Sequence, residues 1–396
     1  MIVVFGLEWQ GKLKETEEAA VQFVPHVVVT IDSKGFSFRL IKQLRGSEHS
    51  ILTCYNTFYL GSLTWMRGQG VYDVLLLAAR MSEPALGGPM HFHYVAPSFW
   101  AWKGGEERLR KLAKFVDHIF CILPNEPELC QLNGLDANFV GHTVLEDILD
   151  VGEEMEASSD DWNMPGDGPR FRSACQIPSG ATIMSLLPGS RLQEVTRMLP
   201  IFAETVEMLK HAFPELLTVI HVAPNQHVKS HIDVAIKDWP VPFLLISGEN
   251  TLLKYDAFRA SRVALCTSGA VAVELQLAKL PCIVAYRAHF LTEWYIRYKA
   301  KIPYISIRNI LTDSAAIPEA LFQKCTPENL AAMLEVLIHD EVSRAKQIST
   351  AKKVMKLLSP SKEAFCKTAA HWRSKDFYGS PSEIAASVVL NYVKAS

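Results

Sequence analysis

The second half of the chain alternates short apolar runs with amphipathic segments, and this alternation restricts the fold more than any other feature of the sequence. Five apolar runs have the length of buried strands, at residues 182–187, 217–222, 242–246, 263–266 and 282–285. Each run precedes a predicted helix, at residues 191–212, 225–237, 250–260, 269–278 and 290–298. The alternation predicts an α/β fold with a parallel, doubly wound sheet and helices on both of its faces.

The turn after the first of these strands has the character of an anion-binding site. Pro188, Gly189 and Ser190 interrupt the apolar run, and helical periodicity begins at Arg191. A helix N-terminus carries unpaired N–H groups and partial positive charge, and a glycine there lets the backbone approach a phosphate closely. An arginine can add two parallel hydrogen bonds. The pattern predicts a phosphate site, and an ordinary strand-to-helix turn with a surface arginine is the alternative.

Two further loops are expected at the same edge of the sheet, because both follow strands. In the first loop, Ser268 and Gly269 begin a helix whose N–H groups could hold a diphosphate. Glu274, about one turn inside that helix, could accept hydrogen bonds from ribose hydroxyls. In the second loop, Asn309 offers donor and acceptor groups to a sugar or to uracil. The alternatives are a capped helix with a partly buried glutamate and an ordinary turn asparagine.

The first half of the chain is organised around a β-branched run at residues 26–31, which predicts a buried parallel strand. This strand delivers Asp32 at its carboxyl end, where ligands of open α/β sheets bind. A helix N-cap or a turn former would give the same pattern at Asp32. The segment 46–89 has no stable periodicity and is unusually long for a connection. We expect that segment to be an irregular insertion, poorly ordered or without a role in the fold.

Composition divides the chain into two domains. Residues 152–170 are rich in acidic residues, proline and glycine, and they predict a linker or an exposed loop. A partial amino-terminal domain is expected at 1–151, with the irregular insertion at 46–89, and a second domain at 171–370. Residues 371–396 predict a carboxy-terminal helix that could pack back on the first domain.

Bulk composition sets limits on the function. The chain of 396 residues has a formal net charge of -2, so nothing in it indicates nucleic-acid binding. Its 8 cysteines include no C-x-x-C pair and lie mostly in apolar runs, which favours reduced thiols over disulfides or a zinc site. No apolar stretch reaches the length of a membrane span, about 18–20 residues. The first residues show neither a signal-peptide nor a transit-peptide pattern.

Residues 106–115 predict a helix with a basic face, preceded by an aromatic loop that contains Trp100 and Trp102. Its cations are Arg108, Arg110, Lys111 and Lys114. A solvated surface is the simpler interpretation of such a face, and contact with a membrane surface is the alternative.

Several specific motifs, in order along the chain, resemble those of the lipid-A-disaccharide synthase family. The matching segments are residues 93–98, 100–102, 139–142, 186–191, 268–274, 285–287, 303–306, 309–311 and 325–330. Their order and spacing hold from about Lys12 to Glu341 apart from one insertion. The combination is far more specific than any single motif.

The resemblance implies a B-type glycosyltransferase fold with two Rossmann-like domains, of which the amino-terminal acceptor domain is incomplete and the carboxy-terminal one takes the UDP-sugar. It implies an inverting hexosyltransferase of lipid A biosynthesis. Such an enzyme transfers 2,3-diacylglucosamine from UDP-2,3-diacylglucosamine to 2,3-diacylglucosamine 1-phosphate and releases UDP. No cofactor and no metal are implied, and the sequence has no D-x-D motif.

Roles for individual residues also follow from the resemblance. The UDP-sugar would be bound by Gly189, Ser190, Arg191, Ser268, Gly269, Glu274 and Asn309. Asp32 would be the catalytic base that takes a proton from the acceptor 6-hydroxyl, while helix N-termini offset the charge on the departing UDP. The acylated substrates imply work at a membrane surface, and a homodimer is consistent with the family. Residues 31–36 look like the plant mitochondrial branch, which implies a mitochondrial location.

The chain also departs from the family pattern. Members begin with a strand and a Gly-rich loop, and a second glycine motif precedes the strand before Asp32; neither motif is present here. We therefore expect an intact nucleotide half, an incomplete acceptor half, and weak or absent catalysis. A non-catalytic UDP-sugar-binding or lipid-binding protein is one alternative. A sugar-nucleotide 2-epimerase is another, but the acid/base motifs that it would need are not found.

Overall fold

The computed structural model describes residues 13–18, 20, 27–31, 34–46, 77–79, 90–146, 166–267, 269–360 and 380–395. The chain forms two compact units, Met1–Thr143 with Leu358–Ser396, and Val144–Leu357. The first boundary lies ahead of the acidic segment 152–170, most of which is outside the described residues. The chain re-enters the first unit at Leu358, earlier than the boundary at 371 that composition suggested.

The first unit is built on a five-stranded sheet in the order β2-β1-β3-β4-β5. Its strands are β1 (Val27–Ile31), β2 (Leu77–Ala79), β3 (Met90–Tyr94), β4 (His118–Cys121) and β5 (Asp136–Phe139). The helices among them are α1 (Lys34–Gly46), α2 (Gly105–Leu112) and α3 (Glu126–Leu132). Strands β1, β3, β4 and β5 run parallel to one another. The β-branched run predicted as a buried parallel strand is confirmed as β1, which ends at Ile31.

Strand β2 corrects one expectation from the sequence. It lies within the segment 46–89, and it pairs antiparallel with β1 through Val27–Ala79, Val28–Ala78 and Val29–Leu77. Part of that segment therefore extends the sheet, so the expectation that it has no role in the fold is wrong for these three residues. The remainder of 47–89 lies outside the described residues.

The second unit is built on a six-stranded, fully parallel sheet in the order β11-β10-β9-β6-β7-β8. Its strands are β6 (Thr182–Leu187), β7 (Leu216–Val222), β8 (Phe243–Ser247), β9 (Val263–Cys266), β10 (Cys282–Tyr286) and β11 (Glu319–Leu321). Its helices are α4 (Gly168–Ala174), α5 (Leu192–Leu209), α6 (Gln226–Ala235), α7 (Thr251–Ala260), α8 (Gly269–Leu277), α9 (Phe290–Lys299), α10 (Ile307–Thr312), α11 (Pro327–His339) and α12 (Glu341–Leu358). The predicted doubly wound sheet is confirmed.

The packing of α5 on this sheet follows from its apolar spacing. Val195, Met198, Leu199 and Phe202 recur at helical intervals, and all four side chains are buried in one cluster with residues of β6 and β9. A helix whose apolar residues share one face stabilises a sheet by removing that face from water. The packing fixes the start of α5 directly beyond the end of β6.

The order of the strands reverses between β6 and β9. From β6 the chain adds β7 and β8 on one side of the sheet, and it then returns to place β9 and β10 on the other side. Crossovers that diverge in this way leave a crevice outside the carboxyl ends of the two central strands, and ligands of open α/β sheets bind there. The loops that follow β6 and β9 occupy this position.

The last helix belongs to the first unit. Helix α13 (Pro381–Ala395) buries Ile384, Ala385 and Val389 in an apolar cluster with residues of β1 and β3. The ring of Tyr392 meets that of Phe92 at 5.7 Å. Among the helices that the structure describes, none combines the length and apolar character needed to cross a bilayer.

Candidate functional site

The turns after β6 and β9 lie side by side. Leu187, the last residue of β6, pairs in register with Cys266 of β9. The hydroxyl of Thr267 donates a hydrogen bond to the carbonyl of Leu187 at 3.5 Å. Both turns therefore leave neighbouring strands at the same edge of the sheet, as the sequence predicted.

The backbone of the first turn requires glycine. Gly189 has φ +123°, a conformation that L side chains rarely adopt, and a Cβ there would lie 2.5 Å from a carboxylate oxygen of Glu194. The chain then passes through Arg191, whose extended backbone forms the N-cap of α5. The Arg191 side chain is exposed to solvent, where a ligand can reach it.

A carboxylate of the protein itself already occupies this turn. The backbone N–H of Ser190 donates to Oε2 of Glu194 at 3.2 Å. Negative charge is favoured at a helix N-terminus, and Glu194 supplies such a charge from within the protein. A phosphate bound at the same N–H group would have to displace it. The sequence signal for this contact is the glutamate in the first turn of α5.

Tyr286, at the end of β10, extends the site to a third strand. Its pKa is raised, first by burial and then by the negative charge of Glu194, while Arg197 and Arg191 act in the opposite direction. The tyrosine is half-buried and lies within electrostatic reach of the turn after β6. This residue fell inside a matching motif, but no role was predicted for it.

Glu274 has a partner that the sequence did not identify. Its Oε2 lies 2.9 Å from Nζ of Lys254 on α7, and the two side chains are 27% and 15% exposed, respectively. A partly buried carboxylate is stabilised by such a cation. Part of the Glu274 side chain remains in contact with solvent.

A buried histidine lies behind Lys254. His221 on β7 contacts Oγ of Ser185 through Nε2 at 3.1 Å, and its ring is 4.8 Å from that of Phe258. Burial lowers the pKa of His221 to about 3, and the charge of Lys254 lowers it in the same direction. The imidazole is therefore neutral at physiological pH and adds no charge beside the ion pair.

Asn309 is bonded within the protein, which argues against its predicted contact with the nucleotide sugar. The side chain is fully buried. Its Nδ2 donates to the carbonyl of Ile317 and to Oε1 of Glu319, both at 2.8 Å, and its Oδ1 accepts from the N–H of Ile317 at 2.8 Å. Both amide donors and the acceptor are used, so we assign Asn309 a structural role in holding the loop before β11.

The neighbouring Arg308 is also buried, and its hydrogen bonds hold α10 against the rest of the second unit. Its guanidinium is buried, donates to Oε1 of Gln276, and donates to the carbonyl of Gln347 at 2.7 Å. Burial lowers the pKa of Arg308 to about 10, so the group remains charged near neutral pH. Asn309 therefore lies in the short helix α10 and not in a loop as the sequence suggested, and two buried polar side chains hold this helix to its surroundings.

Two of the predicted site residues cannot be located. Asp32 and Ser268 lie outside the described residues, whereas Gly269 begins α8 as predicted. Within the part of the chain that the structure describes, no group of three or more His, Cys, Asp or Glu side chains could hold a metal ion.

Residues 86–371 match the family model of lipid-A-disaccharide synthetase. The chain belongs to this family. It is 51% identical over 388 residues to the probable mitochondrial lipid-A-disaccharide synthase of Arabidopsis thaliana, a match that covers 98% of this chain and 76% of that protein. It is 35% identical over 347 residues to the lipid-A-disaccharide synthase of Rhodospirillum centenum, covering 88% and 72%.

These matches support a synthase and not the alternative of a non-catalytic binding protein. The chain is by family a hexosyltransferase of lipid A biosynthesis. The family reaction transfers 2,3-diacylglucosamine from its UDP derivative to 2,3-diacylglucosamine 1-phosphate and releases UDP.

Solved structures agree on the fold. A putative UDP-N-acetylglucosamine 2-epimerase from Listeria monocytogenes is similar with a TM-score of 0.51 at 13% identity, covering 93% of this chain and 80% of that one. The co-structure of S. aureus MnaA with UDP gives 0.52 at 12% identity, covering 87% and 76%. At such identities the similarity concerns the fold, which is the B-type glycosyltransferase fold with Rossmann-like domains.

Proposed function

We propose that the second unit binds the UDP part of UDP-2,3-diacylglucosamine at the two adjoining turns, and that the chain transfers the sugar to 2,3-diacylglucosamine 1-phosphate. One observation carries this proposal. Leu187 and Thr267 are joined by a hydrogen bond at the point where the strand order reverses. Helices α5 and α8 begin after these two adjoining turns. The backbone N–H groups at both helix N-termini can therefore bind the same diphosphate.

In this proposal the turn residues bind the diphosphate and the helix residues bind the nucleoside. Gly189 and Ser190 offer backbone N–H groups, and the exposed Arg191 adds a charge-assisted contact. Ser268 and Gly269 offer the start of α8. Binding of the diphosphate displaces the Glu194 carboxylate from the Ser190 N–H group.

The ribose part of the site would depend on an ion pair. The carboxylate of Glu274 accepts hydrogen bonds from the ribose hydroxyls, and Lys254 holds that carboxylate in position. The family motif assigns Asn309 to the UDP-sugar as well. In this proposal Asn309 contributes only through its hydrogen bonds to Ile317 and Glu319, which hold the segment between α10 and β11.

Asp32 is the proposed general base. It takes the proton from the acceptor 6-hydroxyl as the oxygen forms a bond to the anomeric carbon, and the bond from that carbon to the UDP oxygen breaks. Attack opposite the leaving group inverts the anomeric configuration. The turn N–H groups and Arg191 stabilise the negative charge that develops on UDP. The support for Asp32 is its position after β1 and its match to the family motif.

We further infer a peripheral membrane protein of the mitochondrion that can form homodimers. The acylated substrates favour work at a membrane surface, and the name of the Arabidopsis relative includes a mitochondrial location. The dimer follows only from the family resemblance.

Calorimetric titration with UDP tests the binding site. The protein should bind UDP, and Arg191→Gln should weaken binding by about tenfold or more because a charge-assisted pair is lost. Arg110→Gln changes an exposed arginine on α2 and serves as the matched control, with unchanged affinity expected. Absence of UDP binding by the unaltered protein would refute the proposal.

A transfer assay with both lipid substrates tests the chemistry separately. Asp32→Asn should retain UDP affinity and lose disaccharide formation by about 10²-fold or more, the usual contribution of a general base. Equal turnover by Asp32→Asn and the unaltered chain would exclude Asp32 as the base. UDP binding without any transfer by the unaltered chain would instead favour the non-catalytic alternative.

A further inference from the structure

Helix α9 (Phe290–Lys299) places its large apolar side chains in solvent rather than in the core. None of its residues is buried. Five of its side chains are 45% to 68% exposed: Phe290, Leu291, Trp294, Tyr295 and Tyr298. Single exposed apolar residues are normal on protein surfaces, but five on one short helix form a contiguous patch, which marks an interaction site.

The spacing of these residues gives the patch a defined face. Phe290, Trp294 and Tyr298 follow one another at four-residue intervals, and Leu291 and Tyr295 form the adjoining row. At 100° per residue the five side chains span an arc of roughly 140°, the width of an amphipathic helix face. The rings of Trp294 and Tyr298 stack at 5.9 Å with an interplanar angle of 5°, so the face is continuous.

Cations border this aromatic face. Arg297 and Lys299 lie on its two sides by helical position, and Lys301 follows the end of the helix. The Arg297 guanidinium is 5.4 Å from the ring of Phe322, and Nζ of Lys299 is 5.6 Å from the ring of Tyr298. The Lys299 cation therefore lies beside a ring of this face, whereas the Arg297 guanidinium lies beside Phe322, a buried residue outside α9.

We propose that α9 is a membrane-docking surface for an anionic phospholipid bilayer. Tryptophan and tyrosine rings prefer the depth of the lipid headgroups, where one end is apolar and the other is wet. Flanking arginine and lysine complement the negative charge of the headgroups, and this combination characterises helices that lie in the interface plane. The proposal rests on the peripheral membrane association proposed above and names the surface responsible.

The basic helix α2, for which the sequence left membrane contact open as an alternative, fits this role less well. The Trp100 indole N–H of the adjacent loop donates to Oε1 of the buried Glu126 at 3.0 Å. On α2, Nζ of Lys111 is 2.7 Å from Oε1 of Glu107. Among the described residues of α2 and the loop before it, no large apolar side chain is strongly exposed. That surface has cations without an apolar component that could insert into lipid.

Flotation with lipid vesicles tests the proposal. The full chain is incubated with vesicles of phosphatidylcholine and phosphatidylglycerol, and in parallel with phosphatidylcholine alone. We expect binding to the anionic vesicles that weakens as salt is added. Trp294→Gln with Tyr298→Gln should reduce partitioning by about tenfold or more, because two aromatic side chains no longer insert. Arg297→Gln with Lys299→Gln should remove most of the preference for anionic vesicles.

Matched controls distinguish binding through this surface from nonspecific binding of exposed apolar side chains to vesicles. Leu132→Gln with Val342→Gln replaces two apolar side chains that are more exposed than Trp294 and Tyr298 but lie elsewhere, and it should leave partitioning unchanged. Arg108→Gln with Arg110→Gln removes charge from α2 and should have at most a small effect. Thermal melting and UDP titration of each variant show that folding and nucleotide binding are retained. Failure here with UDP binding intact would therefore count against membrane association and not against the proposed UDP site or the sugar transfer.

Three outcomes would overturn the proposal. The unaltered chain does not bind anionic vesicles, or the Trp294 and Tyr298 variant binds them as tightly as the unaltered chain, or the α2 variant alone loses binding. A change in oligomeric state of the α9 variant by size-exclusion chromatography, with vesicle binding retained, would assign the face to contact between copies of the chain instead.

Discussion

Lys254 and Glu274 form an ion pair that joins α7 to α8, with 2.9 Å between Nζ and Oε2. The lysine also lies close enough to His221 to lower the pKa of that imidazole. Lys254 is therefore paired with the carboxylate that we propose for the ribose, and it lies within electrostatic reach of a neutral buried imidazole. We propose that Lys254 is a positioning residue, which would act on the nucleotide through Glu274.

Replacement of Lys254 tests this dependence. Lys254→Met should weaken UDP binding by roughly three- to tenfold, because a partly buried carboxylate loses its oriented partner. Lys254→Arg keeps the charge and should retain most of the affinity. Calorimetric titration with UDP at fixed salt measures both. If Lys254→Met binds UDP as the unaltered protein does, then either Glu274 does not contact the nucleotide or its orientation does not depend on the ion pair.

The Glu194 carboxylate should compete with the diphosphate. It accepts the Ser190 N–H at the turn where the diphosphate is proposed to bind, and it carries a charge of the same sign as the ligand. Glu194→Gln should therefore raise UDP affinity by about threefold or more, since a like charge near the binding position is removed. Glu204→Gln, an exposed site on the same helix, is the control for net charge. Weaker binding by Glu194→Gln would show that the carboxylate organises the turn for the ligand rather than competing with it.

Local patterns of apolar and turn residues were sufficient to predict the strands that position the site. The five predicted strands of the second unit all appear within one residue of their expected bounds, because continuous apolar runs between turn residues are local signals. Strand β11 is three residues long and was not predicted. Such short strands are specified by pairing with a neighbour, here β10, and not by their own composition.

The hydrogen-bond and ion-pair partners of the site residues could not be predicted from local sequence patterns. Lys254 precedes Glu274 by twenty residues, on a different helix, and only the crossover between them brings the pair together. An asparagine after a strand has the same donor and acceptor groups whether it faces a ligand or the protein. Asn309 is buried, which favours bonding within the protein over contact with a ligand. Burial depends on the tertiary structure and could not be read from the local sequence.

Asn309→Ala should therefore affect stability and not nucleotide affinity. The substitution leaves the buried N–H and carbonyl of Ile317 without their amide partner, whereas Oε1 of Glu319 keeps its hydrogen bond from the Ser306 N–H. Unpaired buried groups of this kind cost about 1–3 kcal/mol each, so the free energy of unfolding should fall by roughly 2–4 kcal/mol. Urea unfolding measures the loss, and UDP titration of the folded variant should give the original affinity.

Asn329→Ala is the matched control for that prediction. Its amide donates to the carbonyl of Lys324 at 2.7 Å, but the side chain is exposed, so water can replace the bond and the expected loss is well under 1 kcal/mol. A large drop in UDP affinity for Asn309→Ala with unfolding unchanged would restore the role that the family motif assigned to Asn309.

The stability of the second unit should depend on the ionisation of His221. Its pKa is lowered from 6.5 to about 3 in the folded protein, so the unfolded chain binds a proton between these values that the folded chain does not. The stability associated with the neutral imidazole is therefore fully present above pH 6.5, and it is lost progressively as the pH falls toward 3. Over this window the free energy of unfolding should decrease by at most about 1.4 kcal/mol per pH unit from this one group.

Urea unfolding across that pH range, with the unaltered chain and His221→Gln compared, isolates the contribution. The variant should be less stable near neutral pH, since the Ser185 contact changes, but its stability should fall less steeply as the solution is acidified. His211→Gln alters an exposed histidine and should reproduce the slope of the unaltered chain. Identical slopes for His221→Gln and the unaltered chain would mean that His221 becomes protonated without unfolding, and that the buried neutral imidazole beside Lys254 does not describe the protein in solution.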